Sequence, residues 1–181
     1  MFKSYQLIPA FLAMMIGGCC GVIDSLLQPP STVPYVDLTR YVGFWYEIAR
    51  YPTSFQANCA SSTADYTARP DGTIGVFNTC LAADGSVVST IEGTASVVDP
   101  KTNAKLAVRF PNVPIAAPYW IIDLGTDYEY AVVSDPLRLT LFILSRTPTL
   151  DQATLDGILV RLVDQGYDPD KLVYDVPVTV P

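Results

Sequence analysis

Between residues 43 and 145 the chain divides into eight short strand-like runs, each closed by a turn signal, with no long structureless segment between them. The runs are 43–50, 62–69, 73–81, 87–98, 105–110, 119–124, 128–134 and 139–145. Arg69-Pro70-Asp71-Gly72 places proline at a turn's second position and supplies glycine for positive φ. Ala83-Asp84-Gly85-Ser86 and Asp99-Pro100-Lys101-Thr102-Asn103 are further turns. Short strands with turns at this regular spacing mark a sandwich or a barrel. One helix follows. Thr149 and Gln152 form a capping-box pattern, and Leu155, Ile158, Leu159, Leu162 and Val163 make an apolar stripe. Gly166 is placed to end it, and residues 172–176 read as a short strand stopped by Pro177. The stripe predicts a helix packed on the outside of the sheet. The other face carries Asp151, Asp156 and Asp164, which does not suit a membrane-surface helix.

Composition then removes function classes. The 181 residues carry a formal charge of −7, with a pI near 4.3. That balance argues against nucleic acid as a partner, because phosphate binding needs clustered Lys and Arg. There is no histidine, so a Ser-His-Asp triad, histidine-ligated haem or zinc and an imidazole base are all excluded. No CxxC pair supports zinc either. Half of the residues are apolar and mean hydropathy is +0.29, which calls for membrane segments or for many inward-facing apolar residues.

The N-terminus accounts for part of that hydropathy. Lys3 precedes an apolar run over residues 7–16, too short to span a bilayer, and Ile16-Gly17-Gly18-Cys19 follows. Residues 1–18 are read as a signal peptide. The ending resembles a bacterial lipobox, which implies that Cys19 becomes an acylated N-terminus; ordinary secretion with cleavage nearby is the alternative. Residues 19–36, with Pro29, Pro30 and Pro34, are read as the lipidated N-terminus and its tether, and 37–181 as one domain.

Three motifs in order carry a family resemblance. Gly43-Phe44-Trp45 resembles the lipocalin G-x-W motif, Thr126-Asp127-Tyr128 its T-D-Y motif, and Arg146 the arginine of its third motif. The Trp45-Tyr46-Glu47-Ile48-Ala49-Arg50 run is similar to the branch containing bacterial outer-membrane lipoprotein lipocalins and apolipoprotein D. The resemblance covers about residues 37–177. It implies an all-β fold, an eight-stranded antiparallel up-and-down barrel with one C-terminal helix outside, holding a small hydrophobic ligand. Counting turns in such a barrel puts Gly43, Trp45, Thr126, Asp127, Tyr128 and Arg146 at one end. There Arg146 can stack on the Trp45 indole, so these residues are structural. The same counting brings Cys59 and Cys80 together at the other end, as a disulfide suited to an exported protein; free or reactive thiols are the alternatives.

Alternation along each strand then nominates a lining. The residues are Ala64, Tyr66, Val76, Asn78, Ile91, Ala95, Leu106, Val108, Phe110, Tyr119, Ile121, Tyr130, Val132, Ser134 and Phe142. Gly93, Ala95 and Ala64 are small and leave space. Asp123 follows Ile121 on its face, and Glu47 follows Trp45 toward the floor. Arg50 and Arg109 point to solvent by parity. The expected function is binding, storage or transport of a fatty acid, lysophospholipid or similar amphiphile, by a protein lipid-anchored on the periplasmic side of the outer membrane, or secreted. No catalytic residue, cofactor or metal is expected. The alternatives are an occluded barrel acting as an envelope interaction module, and a lipid-modifying enzyme using Asp123, Glu47 or a thiol.

Overall fold

A computed structural model describes residues 28–111 and 113–178. A short helix α1 (Leu38–Tyr41) leads into β1 (Gly43–Arg50). There follow β2 (Ser61–Ala68), β3 (Ile74–Leu81), β4 (Val87–Val97), β5 (Lys105–Arg109), β6 (Ala117–Leu124), β7 (Tyr130–Ser134) and β8 (Leu141–Ser145). Helix α2 (Gln152–Asp164) and a two-residue β9 (Val173–Tyr174) complete the order. Each of the first seven strands pairs antiparallel with its successor, and β1 pairs with both β8 and β2, which closes the barrel. The expected architecture is the one that forms. Because every pair is antiparallel, the links alternate between ends. The turns 69–73, 98–104 and 125–129 lie at a floor, and the loops 51–60, 82–86, 110–116 and 135–140 at a mouth.

Two apolar cores hold this shape. Inside the barrel, Val36, Trp45, Leu106, Ile121, Val133 and Leu144 pack together with neighbours from every strand. Val33 and Val36, ahead of α1, belong to this packing. Between the outer wall and α2, Ala49, Val132, Leu141, Ile143, Ile158 and Leu162 form the second core. Ile158 and Leu162 are almost wholly buried. Each contributes about 1.5–3 kcal/mol relative to exposure. The stripe thus packs on the outside of the sheet, as expected.

The helix start differs from expectation. Asp151, not Thr149, is the cap, its carboxylate accepting from the Thr154 amide at 3.0 Å. A carboxylate at a helix N-terminus also meets the positive end of the dipole. Gly166, at φ +82°, follows the last turn. β9 is shorter than the run 172–176 and pairs with Ala49 and Arg50 of β1, beyond the last β1–β2 pair at Tyr46 and Thr63. The C-terminal segment therefore enters the fork where β1 and β2 part. Two bulges also matter for the site. One lies between Glu47 and Ala49 against β8, the other between Ile121 and Asp123 against β7. Each adds a residue and turns the following side chains to the opposite face.

Candidate functional site

The floor is built by the three sequence motifs. Trp45 is fully buried, and its indole N–H donates to the Tyr41 carbonyl at 2.9 Å. The Arg146 guanidinium lies 3.6 Å above the indole centroid. Its N–H groups donate to the carbonyls of Phe44, Arg40, Tyr41 and Val42 at 2.8–3.1 Å. Gly43 sits at φ +99°, where a side chain would be strained. Tyr128 accepts from the Asp37 amide at 2.8 Å and lies under Arg40. Thr126 and Asp127 are the neighbouring contacts of Arg40. Gly43, Trp45, Tyr128 and Arg146 are thus engaged in closing this end, while the Asp127 side chain stays exposed.

Above the floor three phenols meet. The Tyr41 hydroxyl is 2.7 Å from that of Tyr119, which is 3.1 Å from that of Tyr66. Burial pushes all three up, Tyr66 to about 12, so all three are neutral donors. Three hydroxyls bring three protons, and the two contacts use two of them. One O–H is left to donate elsewhere. Higher in the barrel the side-chain oxygen of Asn78 is buried without a hydrogen-bond partner. The interior thus offers a donor low down and an acceptor above it, between apolar walls.

Of the nominated lining, Ala64, Tyr66, Val76, Ala95, Leu106, Val108, Tyr119, Ile121, Phe110 and Phe142 do pack in the inner cluster. Strand β7 is a correction. Tyr130 and Val132 pack outward against α2, and Ser134 donates to the Thr140 carbonyl at its own hairpin. Ala131 and Val133 point inward instead. Tyr130, Val132 and Ser134 share the parity of Tyr128, but Tyr128 is in a turn at φ +62°, so the face of that residue does not carry into the strand. Asp123 is turned outward by the β6 bulge and accepts from Arg161 at 2.8 Å. Ile91 has the inner parity but lies above the last β4–β5 pair and is 43% exposed, so it belongs to the mouth. Gly93 leaves no space: a Cβ there would meet the Phe110 ring at 2.8 Å, so the ring covers it.

A buried polar cluster at the mouth was missed by the sequence reading. Arg50 does not face solvent; it is 6% exposed. It donates to Glu47 at 3.1 Å, to the Asp175 carboxylate, and to the Cys59 carbonyl at 3.1 Å. Gln56 bridges Glu47 and Ser62, and the second Asp175 oxygen accepts from the Ser62 amide at 2.7 Å. Glu47 therefore sits beneath the 51–60 loop rather than on the floor. Desolvation, with Asp175 beside it, pushes the Glu47 carboxyl well above the usual carboxylate range. Burial also raises Asp175, while Arg50 opposes that rise. Both carboxyls are raised, Glu47 more than Asp175, so the pair retains a proton with the weight on Glu47, and Arg50 balances the remaining charge; the burial cost of lone charge is thereby avoided. Arg109 faces outward, as expected, in a shallow cleft with Arg69, Glu92 and Thr94.

Cys59 and Cys80 form a disulfide with Cα atoms 5.2 Å apart, tying the mouth loop to β3. Among the described residues, no group of Cys, Asp and Glu is arranged to hold a metal ion, and no helix is long and apolar enough to cross a membrane. Cys19 and the signal peptide lie outside the described residues.

Comparison with known proteins agrees with this geometry. A model of the lipocalin-like domain matches residues 36–177. Temperature-induced lipocalin-1 of Arabidopsis thaliana is 39% identical over 150 residues, covering 78% of this chain and 80% of that protein. The outer membrane lipoprotein Blc of Vibrio cholerae is 34% identical over 163 residues, with 90% and 92% covered. Apolipoprotein D of Bos taurus is 34% identical over 185 residues, with 97% and 95% covered. Among solved structures, apocrustacyanin C2 superposes with a TM-score of 0.63 at 20% identity, over 79% of this chain and 81% of that one.

Proposed function

We propose, from the premise that this chain belongs to the lipocalin family, that it holds and carries a single-chain amphiphile, a fatty acid, a lysophospholipid or a similar lipid, at the cell envelope. Lipocalins bind small hydrophobic ligands in the barrel, and the interior described above has the matching chemistry. The observation that carries the reading is the pairing of apolar inner walls with two unmatched polar groups, the surplus phenolic proton and the Asn78 oxygen. A hydroxyl or an un-ionised carboxyl can both accept from a phenol and donate to an amide oxygen. A buried polar atom with no partner costs about 1–3 kcal/mol, which a ligand making that bond recovers.

The protein acts as a binder rather than an enzyme. With no histidine in the chain and Glu47 and Asp175 both engaged with Arg50, the interior is furnished to retain a molecule. Removal of residues 1–18 and acylation of Cys19 would place the barrel on the periplasmic face of an outer membrane. Support comes from the lipobox-like ending and from relatives named as outer membrane lipoproteins. A second reading, a filled barrel serving as an envelope interaction module, draws on the phenol triad and the Phe110 ring over Gly93.

Titrating delipidated protein with a fluorescent fatty acid decides between them. Saturable one-to-one binding supports the carrier; a weak, non-saturating response to every chain length overturns it. Native mass spectrometry of freshly isolated protein would show the co-purifying lipid.

A further inference from the structure

The links at the two ends of the barrel differ in chemistry. The three floor turns carry Arg69, Asp71, Asp99, Lys101, Asp127 and Glu129. At the mouth, residues 51–60 and 110–116 contain no Asp, Glu, Lys or Arg, and 82–86 contain Asp84 alone. In 135–140 both charges are engaged. Asp135 accepts from the loop's own Leu137 and Thr140 amides, and Arg138 donates to the carbonyls of Gln165 and Gln28. In place of charge, each mouth loop presents or adjoins an exposed apolar side chain. Phe55 is 73% exposed, Val87 62%, Ile115 78% and Leu137 72%. Large apolar groups left in water around one opening, in a chain of net charge −7, mark a face made for an apolar phase.

The path of the N-terminus points the same way. The Gln28 carbonyl accepts from Arg138 of the 135–140 loop at 2.9 Å, so the chain enters the barrel beside the mouth. Gln28 lies nine positions after Cys19, a reach of at most about 30 Å. One barrel wall, taken from the eight residues of β1, is about 27 Å long. An anchor on Cys19 therefore brings the mouth to a bilayer with slack, and the floor only with the tether drawn out along the whole wall.

Resting on the reading that Cys19 is acylated, we propose that the mouth faces the bilayer. Phe55, Val87, Ile115 and Leu137 enter its interface, and an amphiphile passes between membrane and barrel without crossing water. The face has no basic cluster, so it fits zwitterionic rather than anionic lipid.

The test uses the full processed chain in phosphatidylcholine vesicles brominated on the acyl chains. Ile115→Trp reports on the mouth, and Val98→Trp, at an exposed floor position, reports on the opposite end. The native Trp45 and Trp120 give both variants the same background. Quenching of the Ile115→Trp emission with Val98→Trp unchanged is the expected result. Equal emission from both, or quenching of Val98→Trp instead, overturns the proposal.

The mass of the N-terminal peptide reports acylation separately. If Cys19 is unmodified, the same pair is added to vesicles as a soluble chain, and the same quenching contrast is required. Ile115→Asp with Leu137→Asp should then weaken vesicle partitioning by roughly a hundredfold, about tenfold for each apolar side chain withdrawn. Unchanged partitioning overturns the proposal. So does a dimer, seen by sedimentation, that Ile115→Asp dissolves while vesicle quenching is absent, since the face would then belong to a second copy.

Discussion

Replacing Arg50 with methionine should destabilise the protein by an amount that depends on pH. Arg50 is 6% exposed and donates to Glu47 and Asp175, so its removal leaves two buried carboxyls without their cation. Breaking a buried pair from one side costs about 3–5 kcal/mol. Near pH 6 the variant can lower that cost by taking a proton on Asp175. Each further pH unit adds about 1.4 kcal/mol to keeping a carboxyl neutral that is ionised in the unfolded chain. In the wild type Asp175, raised only to about 6, is already charged above that pH and adds no such slope. The deficit of Arg50→Met should therefore grow by about 2–3 kcal/mol between pH 6 and pH 8.

The wild type carries its own slope from Glu47. Its folded value, about 8, lies above the ordinary 4.5, so the folded state holds the extra proton in between. Stability then falls as pH rises from about 4.5 to about 8, and Glu47→Gln should flatten the decline. Urea unfolding at pH 5, 6, 7 and 8, with the disulfide intact, measures all three proteins. A deficit for Arg50→Met that does not change with pH would refute the assignment of charge within the cluster.

Three other outcomes are expected. Cys59→Ala with Cys80→Ala, opening a loop with a sequence separation of 21, should cost about 3 kcal/mol in urea unfolding. Ala64→Trp should fill the interior and abolish saturable fatty-acid binding, whereas Val132→Ala, on the α2 side, should leave binding intact and lower stability by about 1–3 kcal/mol; the reverse pattern would put Val132 inside the barrel. Asn78→Leu removes an unpartnered buried oxygen, so it should stabilise the ligand-free protein by about 1–2 kcal/mol and selectively weaken amphiphiles with a hydroxyl or carboxyl head, which paired thermal and titration measurements would separate.

The lining shows how far residue patterns reach. On β5 the sequence Lys105-Leu106-Ala107-Val108-Arg109 alternates, and its faces were correct because one face is wet. β7 is buried on both faces, the barrel on one side and α2 on the other, so Tyr130-Ala131-Val132-Val133-Ser134 has no polar beat to read. Its faces had to be counted from Tyr128, and the left-handed turn there broke the count. Asp123 went wrong similarly, through a bulge that leaves no residue signature at Ile122. Arg50 and Glu47 were visible as residues, but their partner Asp175 is 125 positions from Arg50.

The sequence by itself determined the number and order of strands, the outer helix, the closed end with Trp45 under Arg146, and the nearness of Cys59 to Cys80. The strands and the helix follow from short-range alternation and turn residues; the closed end and the cysteine pair follow from counting turns around the barrel that the resemblance of the three motifs implies. Only the tertiary structure decided which face of β7 looks inward, how the three phenols share their protons, and that Arg50 is buried at the fork of β1 and β2. Alternation fixes side chains relative to their neighbours along a strand. The absolute face is set by turns, bulges and a distant chain end, and these are resolved only when the whole barrel closes.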